Sequence, residues 1–215
     1  MARQLRAEQT RATILTVAAD LFDRHGYEST SLSEIVNHAR ITKGALYFHF
    51  AAKQDLAQAI MEFQSRTSRR LAAELDGRGY SSLESLMRLT FDFARVSAEN
   101  PVLRAGLRLA TGGVEVRPPL RHPFAEWRDL TSSRLLGAVK EHDVHPDTDV
   151  DSAAHTLVCS LVGTGVVSRA LDPVARQSRR TAELWQVLIR GMVPVTRRPR
   201  YLGLAARLER ETAAA

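Results

Sequence analysis

Two helix-start signals in residues 31–49 place the strongest constraint on what this chain can fold into. Ser31 suits a helix N-cap and Glu34 follows it after three positions, the capping-box pattern in which each side chain bonds a backbone N–H. The next apolar positions share one helical face: Leu32, Ile35, Val36 and Ala39. Thr42 is a second N-cap, directly before 43–49. The pattern predicts two short helices joined by a tight turn, a helix-turn-helix.

The second of these helices carries residue types that suit a DNA groove. In such motifs the N-terminal residues of the second helix face base edges, and the helix N-terminus attracts phosphate. Gly44 permits a close approach, and Tyr47 and His49 can donate to phosphate oxygens. We predict DNA contacts from seven residues: Thr42, Lys43, Gly44, Ala45, Tyr47, His49 and Lys53. Spacing alone leaves a solvated corner of an ordinary helical protein as the alternative.

Composition narrows the class of protein without naming its partner. Of the 215 residues, 44% are hydrophobic, which allows a sizeable core, and the net charge of +6 is consistent with a polyanionic partner. Residues 1–53 hold seven Lys or Arg against five Asp or Glu, so the basic excess is not confined to the motif. The single cysteine, Cys159, excludes an internal disulfide and is typical of a reducing compartment.

Export and membrane signals are not evident in the sequence. Residues 1–6 are basic, with no apolar core after them, and are predicted to form an arm that reaches phosphates or a disordered terminus. The apolar run 157–167 is interrupted by Ser160 and Thr164 and is too short to span a bilayer. We therefore expect a cytoplasmic protein with no membrane partner.

Helical periodicity continues along the chain, and no segment shows the alternation of a strand. We predict the other helices at about 7–25, 52–76, 82–94, 101–111, 123–139, 149–166, 184–192 and 199–211, the last one basic and on the surface. Loops are expected at 112–122 and 171–178. The fold class is all-α, with an N-terminal three-helix helix-turn-helix domain at 1–52 and a larger helical domain at 53–215 for ligand binding and dimerisation.

Candidate catalytic and metal-binding groups are few. His155 and Cys159 share a helix face, as half a metal site or a nucleophile–base pair would, but no second pair follows and a buried thiol is the better interpretation. Asp147, Asp149 and Asp151 mimic the start of a calcium loop, but the glycine and glutamate needed further on are missing, so we interpret them as helix caps. We predict no catalytic residue, no metal and no cofactor.

Two apolar helix faces each have two interpretations. Trp127 follows Phe124 on such a face, as either a core residue or the wall of a ligand cavity, where indole offers flat apolar area and one N–H donor. Gly163 and Gly165 lie inside an apolar helix, where glycine destabilises by about 1 kcal/mol relative to alanine. Close helix approach at a dimer seam, or packing within one chain, would offset that cost.

Residues 8–55 resemble the DNA-binding region of the tetracycline-repressor (TetR) family. The matching segments are Phe22-Asp23-Arg24-His25-Gly26-Tyr27, Thr30-Ser31-Leu32-Ser33-Glu34-Ile35, Thr42-Lys43-Gly44-Ala45-Leu46-Tyr47-Phe48-His49-Phe50 and Lys53-Gln54-Asp55-Leu56. Later segments, including Arg104-Ala105-Gly106-Leu107-Arg108-Leu109-Ala110 and Arg190-Gly191-Met192-Val193-Pro194, are similar to the γ-butyrolactone autoregulator receptors of that family.

The resemblance implies a ligand-responsive repressor. Such a protein binds a near-palindromic double-stranded operator as a homodimer and is released by a small γ-butyrolactone-type signal, so that it controls secondary metabolism or differentiation genes. The resemblance further implies that the fourth helix carries the conformational change that moves the helix-turn-helix motifs out of register with the operator. It also implies that a tryptophan in the helix of Trp127 lines the ligand pocket. We predict ligand contacts from Trp127, Phe91, Leu130 and Leu86.

Three alternatives make different predictions. A TetR-type repressor that senses another small apolar ligand, such as an antibiotic, would share the fold but not the effector. An enzyme would need a clustered base and nucleophile, which the sequence does not offer. An architectural DNA-binding protein would need no large domain beyond the motif, and no small molecule would change its affinity for DNA.

Overall fold

The computed structural model describes residues 2–114, 122–171 and 177–214, and within them the only regular secondary structure is helical, with no strand. The ten helices found there are α1 Ala2–His25, α2 Leu32–Ala39, α3 Lys43–His49, α4 Lys53–Leu75, α5 Ser82–Glu99, α6 Pro101–Thr111, α7 Pro123–Lys140, α8 Val150–Leu171, α9 Gln177–Met192 and α10 Arg198–Ala214. The predicted all-α fold class is thus confirmed. The predicted loops at 112–122 and 171–178 fall largely outside the described residues.

By its packing the chain forms two compact units. The first comprises Met1–Thr67 with Glu99–Pro123, and the second comprises Ser68–Ala98 with Phe124–Ala215. In the first unit α1 packs on α2 and α6. Its fully buried side chains include Ile14, Phe22, Ile35 and Leu46.

Helix α6 is held to the C-terminal end of α1 by polar contacts. Arg104 Nε lies 3.1 Å from Asp23 Oδ2 in an ion pair, and Arg108 donates to the Asp23 carbonyl oxygen. The Asp23 side chain is mostly buried, which reduces the screening of this pair by water. The ion pair and the hydrogen bond therefore both join residues of the first unit.

The second unit contains two hydrophobic clusters. The Trp185 cluster is the larger and is built from α5, α7, α8, α9 and α10; its fully buried members include Leu83, Leu86, Phe91, Trp185 and Tyr201. The Trp127 cluster is smaller, and its members are Leu71, Ala72, Leu75, Leu89, Trp127 and Val158, with Tyr80, Phe93, Val96, Phe124, Leu130 and Val162 packed against them. Helix α5 contributes to both clusters, so two of its faces are buried.

The predicted helix caps are present. Ser31 Oγ accepts from the Glu34 N–H at 3.1 Å, Thr42 Oγ1 from the Ala45 N–H at 3.1 Å, and Asp149 Oδ1 from the Ser152 N–H at 3.1 Å. The second half of the capping box differs from the prediction. The Glu34 carboxylate lies 3.2 Å from His25 Nδ1 at the end of α1, because the turn between α1 and α2 brings that ring beside it.

Three expectations about the termini and the thiol were wrong. Helix α1 begins at Ala2 rather than near residue 7, so most of the predicted basic arm is helical. Helix α10 is not a surface helix, since Tyr201, Leu204, Ala205 and Leu208 pack in the Trp185 cluster. Cys159 is exposed, because it lies with His155 on the outward-facing side of α8.

Candidate nucleic-acid interface and apolar ligand pocket

The turn between α2 and α3 has a defined left-handed geometry. Arg40 adopts φ 53° and ψ 45°, which non-glycine residues rarely adopt. Its N–H donates to the Asn37 carbonyl, and the Ile41 N–H donates to the Val36 carbonyl, each at 3.2 Å. These bonds satisfy two of the last four carbonyls of α2 and fix the direction in which α3 starts.

Helix α3 buries one side and exposes the side that carries most of the predicted contacts. Leu46 and the capping residue Phe50 are buried in the first unit. On the outer side, Thr42, Lys43 and Gly44 are exposed. The other predicted residues of the helix are Tyr47, which is exposed, and Ala45 and His49, which are half-buried.

Phe48 is a surface residue that the sequence argument left out. Its ring is 79% exposed, the largest exposure of the bulky apolar residues in α3, and it stacks edge-on against His49 with ring centroids 5.0 Å apart. The sequence already indicated this exposure, because Phe48 does not share the helix face of the buried Leu46 and so cannot pack in the core on that side. An exposed ring on a helix of this kind offers apolar contact to a base or sugar.

Lys53 differs from the other six predicted DNA contacts. Its Nζ donates to the carbonyl oxygens of Tyr27 at 2.9 Å, Thr30 at 3.1 Å and Glu28 at 3.3 Å. The ammonium also lies 4.4 Å from the centre of the Tyr27 ring. Partial burial, with the charges of Glu28 and Asp55, raises the pKa of Tyr27 above its usual value. In this conformation Lys53 ties the start of α4 to the α1–α2 turn.

The Trp127 cluster has one polar contact at its centre. Trp127 is only 7% exposed, and its Nε1 donates to Ser68 Oγ at 2.9 Å. The Phe93 ring packs edge-on against the indole, with centroids 4.8 Å apart and planes at 71°. At the rim, Arg69 Nη1 pairs with Glu126 Oε2 at 2.7 Å. Small-molecule sites are typically lined by apolar and aromatic side chains with a few polar groups, and the Trp127 cluster has this composition.

The four predicted ligand contacts do not come together. Trp127 and Leu130 belong to the Trp127 cluster, whereas Leu86 and Phe91 belong to the Trp185 cluster. Phe93 and its neighbours Leu89 and Val96, which form a second apolar stripe along α5, were not among the predicted ligand contacts. Their spacing of four and three residues was the available signal.

Helices α8 and α9 leave apolar side chains uncovered. Val166, Val167 and Leu171 on α8 and Val187 on α9 are all about half exposed or more. Among the described residues, a side chain built at Gly163 would meet nothing within 4 Å, so packing within this part of the chain does not require that glycine.

By length and composition α8 also meets the criteria for a membrane span. The window Val150–Ser168 is 19 residues long with a mean hydropathy of 1.3, and 22% of it is buried. The apolar run 157–167, predicted to be too short to span a bilayer, is only part of this longer helix. One such helix is weak evidence for a membrane, because core helices of soluble proteins have the same length and composition.

Between α7 and α8 lies an open groove of about 830 Å³ with polar walls of both charges. Its lining residues are Arg128, Asp129, Ser132, Ser133, Leu136, Gly137, Lys140, Asp151, Ser152 and His155. His155 Nε2 lies 3.5 Å from Cys159 Sγ on the same helix. Within the described ranges no group of three or more His, Cys, Asp or Glu residues could hold a metal ion.

Comparison with known proteins assigns this architecture. The family model for bacterial regulatory proteins of the tetR family matches residues 14–60, which include α2 and α3. The model for the tetracyclin repressor-like C-terminal domain matches residues 80–194, more than half of the chain. The chain belongs to the TetR family. Its helix-turn-helix is therefore the DNA-binding domain of a TetR-family transcriptional regulator.

Three TetR-family relatives are particularly informative. The A-factor receptor protein of Streptomyces griseus is 39% identical over 189 residues, which cover 88% of this chain and 66% of that protein, so the chain spans just under two thirds of its length. A crystal structure of a γ-butyrolactone receptor (ArpA-like protein) is 70% identical, with a TM-score of 0.86 over 96% of this chain and 99% of the other. CprB from Streptomyces coelicolor, in complex with its biological operator sequence, is 72% identical, with the same TM-score and coverage.

Proposed function

We propose that this protein is a homodimeric transcriptional repressor that binds an operator and is released by a γ-butyrolactone-type signal. Residues 1–52 would bind DNA, and residues 53–215 would bind the effector and dimerise. Gene control of this kind takes place on chromosomal DNA in the cytoplasm, with no catalytic step. The observation that carries the proposal is the exposed face of α3, on a chain 72% identical to a protein solved with its operator.

For the DNA half, the proposed contacts are Thr42, Lys43, Gly44, Ala45, Tyr47, His49 and Lys53. Thr42 and Lys43 start α3 and project into solvent, which favours contact with base edges or phosphates. Lys53 would reach DNA only after giving up its three carbonyl contacts, so we propose that it acts mainly by holding α4 to the turn before α2. Operator binding then depends on Lys43 more than on Lys53.

For the dimer, the uncovered apolar side chains of α8 and α9 support an interface. A two-fold dimer places two recognition helices about one DNA turn apart, roughly 34 Å, which matches a near-palindromic operator. Val166 and Val167 on α8 and Val187 on α9 are exposed on two helices that pack against each other, and exposed apolar side chains of this kind favour a protein partner. A protein interface would also give a reason other than a bilayer for the apolar character of α8.

For the ligand half, the Trp127 cluster supports a small apolar effector with one polar end. We propose that Trp127 and Leu130 line the pocket, together with Phe93. Leu86 and Phe91, predicted as contacts, would instead pack behind the residues that line the pocket, in the Trp185 cluster. The described relatives favour a γ-butyrolactone over an antibiotic. An effector acts only by binding the non-DNA conformation better, and we propose that α4 carries the change.

The test is a titration of operator DNA with the full-length protein, with and without an added γ-butyrolactone that bears an alkyl chain. We expect binding of a palindromic fragment by a dimer, and release as the lactone is added. Release by an antibiotic but not by the lactone would favour the alternative effector class. Binding that no small molecule changes would indicate an architectural protein instead.

A further inference from the structure

A buried hydroxyl on α7 has no hydrogen-bond partner. Thr131 is completely buried, and among the described residues its Oγ1 meets no donor or acceptor. Leaving a buried hydroxyl unpaired costs stability, and natural proteins rarely do so without a reason. In the second unit the other orphaned oxygens of this kind belong to Ser85 and Ser97, both on α5.

The orphaned hydroxyl contrasts with the other polar groups in this unit. Thr90 Oγ1 accepts from Trp185 Nε1 at 2.8 Å and donates to the Met87 carbonyl at 2.7 Å. Trp127 Nε1 is already bound to Ser68 Oγ. The unit therefore satisfies both of its indole N–H groups but not the hydroxyl of Thr131.

Thr131 lies on the face of α7 that carries Trp127. It follows Trp127 by four residues, one helical turn, so the two side chains project to the same side. Helices α5 and α7 run antiparallel, because Ser82 at the start of α5 bonds Glu141 after the end of α7, while Phe93 packs on Trp127. This register places Thr131 at the level of Leu89, a buried member of the Trp127 cluster.

The proposed effector carries the hydrogen-bond acceptors that the Thr131 hydroxyl lacks. A lactone offers only acceptors, its carbonyl and ring oxygens, so it needs a donor from the protein. The side chains around Trp127 are mostly hydrocarbon, while a threonine hydroxyl can donate one hydrogen bond. The unpaired hydroxyl already costs the free protein stability. A ligand that supplies an acceptor there therefore gains more binding free energy than it would beside a hydroxyl that is already paired.

We propose that the Thr131 hydroxyl is the hydrogen-bonding anchor for the carbonyl oxygen of a lactone bound against Trp127. This inference rests on the proposed function, which places the effector in the Trp127 cluster. It adds the residue that distinguishes a lactone from a hydrocarbon of the same shape.

The experiment compares Thr131→Val with wild type, using an alkyl-substituted γ-butyrolactone and its carbocyclic analogue without the carbonyl. We expect Thr131→Val to lose about tenfold or more in lactone affinity, while it keeps operator affinity and a Tm at or above that of wild type. The carbocyclic analogue should bind both proteins equally weakly. Thr131→Ser keeps the hydroxyl and should keep the lactone affinity.

Two controls separate this role from a structural one. Thr90→Val removes a partnered hydroxyl of the same unit and should lower the Tm. Ser85→Ala removes another orphaned hydroxyl and should leave lactone affinity unchanged. The inference is overturned if Thr131→Val binds the lactone as wild type does, if its Tm falls as in Thr90→Val, or if Ser85→Ala carries the loss. If the lactone neither binds the wild-type protein nor releases it from the operator, the proposed function is overturned as well.

Discussion

The helix-turn-helix and the Trp127 cluster are built from contacts of very different range. In the first, the caps and the turn join residues three to five positions apart, such as Ser31 with Glu34 and Val36 with Ile41. In the second, Ser68 meets Trp127 and Leu71 shares a cluster with Val158, so helices far apart in sequence must assemble. The DNA-binding surface is thus specified mainly by local rules and the Trp127 cluster mainly by tertiary packing.

This difference matters for function. A recognition helix must present its residues in one fixed direction, and local hydrogen bonds at both of its ends provide that. A pocket must admit a ligand, and side chains from several helices can separate more easily than a capped turn can. Substitutions should accordingly affect the two regions in different ways.

The largest effect is expected in the non-local core of the second unit. Trp185→Ala empties a fully buried site and removes the hydrogen bond to Thr90, and should lower the free energy of unfolding by about 3–5 kcal/mol. Chemical denaturation measures it, with the exposed Arg190→Ala on the same helix as control. A loss below about 1 kcal/mol would mean that the core repacks and that its long-range contacts are weakly specified.

The next effect concerns function in the locally built region. Lys43→Ala should weaken operator binding by about 1–3 kcal/mol and reduce the salt dependence by about one ion, while the Tm is unchanged. Lys140→Ala, an exposed lysine in the second unit, makes the same charge change away from the motif. Equal affinities for the two variants would remove Lys43 from the DNA interface.

A smaller effect should follow from a single cap. Ser31→Ala removes the acceptor for the Glu34 N–H and should cost about 1 kcal/mol of stability. Ser33→Ala, an exposed position in the first turn of the same helix whose hydroxyl does not act as the cap, should cost nothing or stabilise slightly. If both variants were equally stable in denaturant titrations, local capping would not be what fixes α2.

The same contrast explains what could be predicted from the sequence. The caps of α2 and α3 and the start of α6 at Pro101 were predicted because each depends on neighbouring residues. The burial of α10 and the split of Leu86 and Phe91 from Trp127 depend on which face of a helix finds a partner, and periodicity alone cannot select that partner. For the candidate site, therefore, α3 and Trp127 were predicted from the sequence, whereas the packing of Phe93 on Trp127 and the unpaired hydroxyl of Thr131 were seen only in the structure.

The smallest expected effect tests whether a local rule also operates in the second unit. Asp149 caps α8: Oδ1 accepts from the Ser152 N–H, and Oδ2 accepts from the Ser152 hydroxyl at 2.8 Å. These hydrogen bonds lower the pKa of Asp149 below its usual 3.8. A carboxyl whose pKa is lower in the folded state than in the unfolded state stabilises the fold above the unfolded pKa, and that contribution is lost as the pH falls through the folded pKa.

Asp149→Asn keeps a capping oxygen but has no charge to lose, unlike the aspartate, which also interacts favourably with the helix dipole. Wild type should therefore be slightly more stable than Asp149→Asn at neutral pH, and the gap should close as the pH falls below about 4. Urea titrations of both proteins at the two pH values measure this, with Asp147→Asn, an exposed aspartate just before the helix, as the control. A gap that persists in acid would mean that the cap acts through its shape alone, and the charge of Asp149 would then contribute nothing to α8.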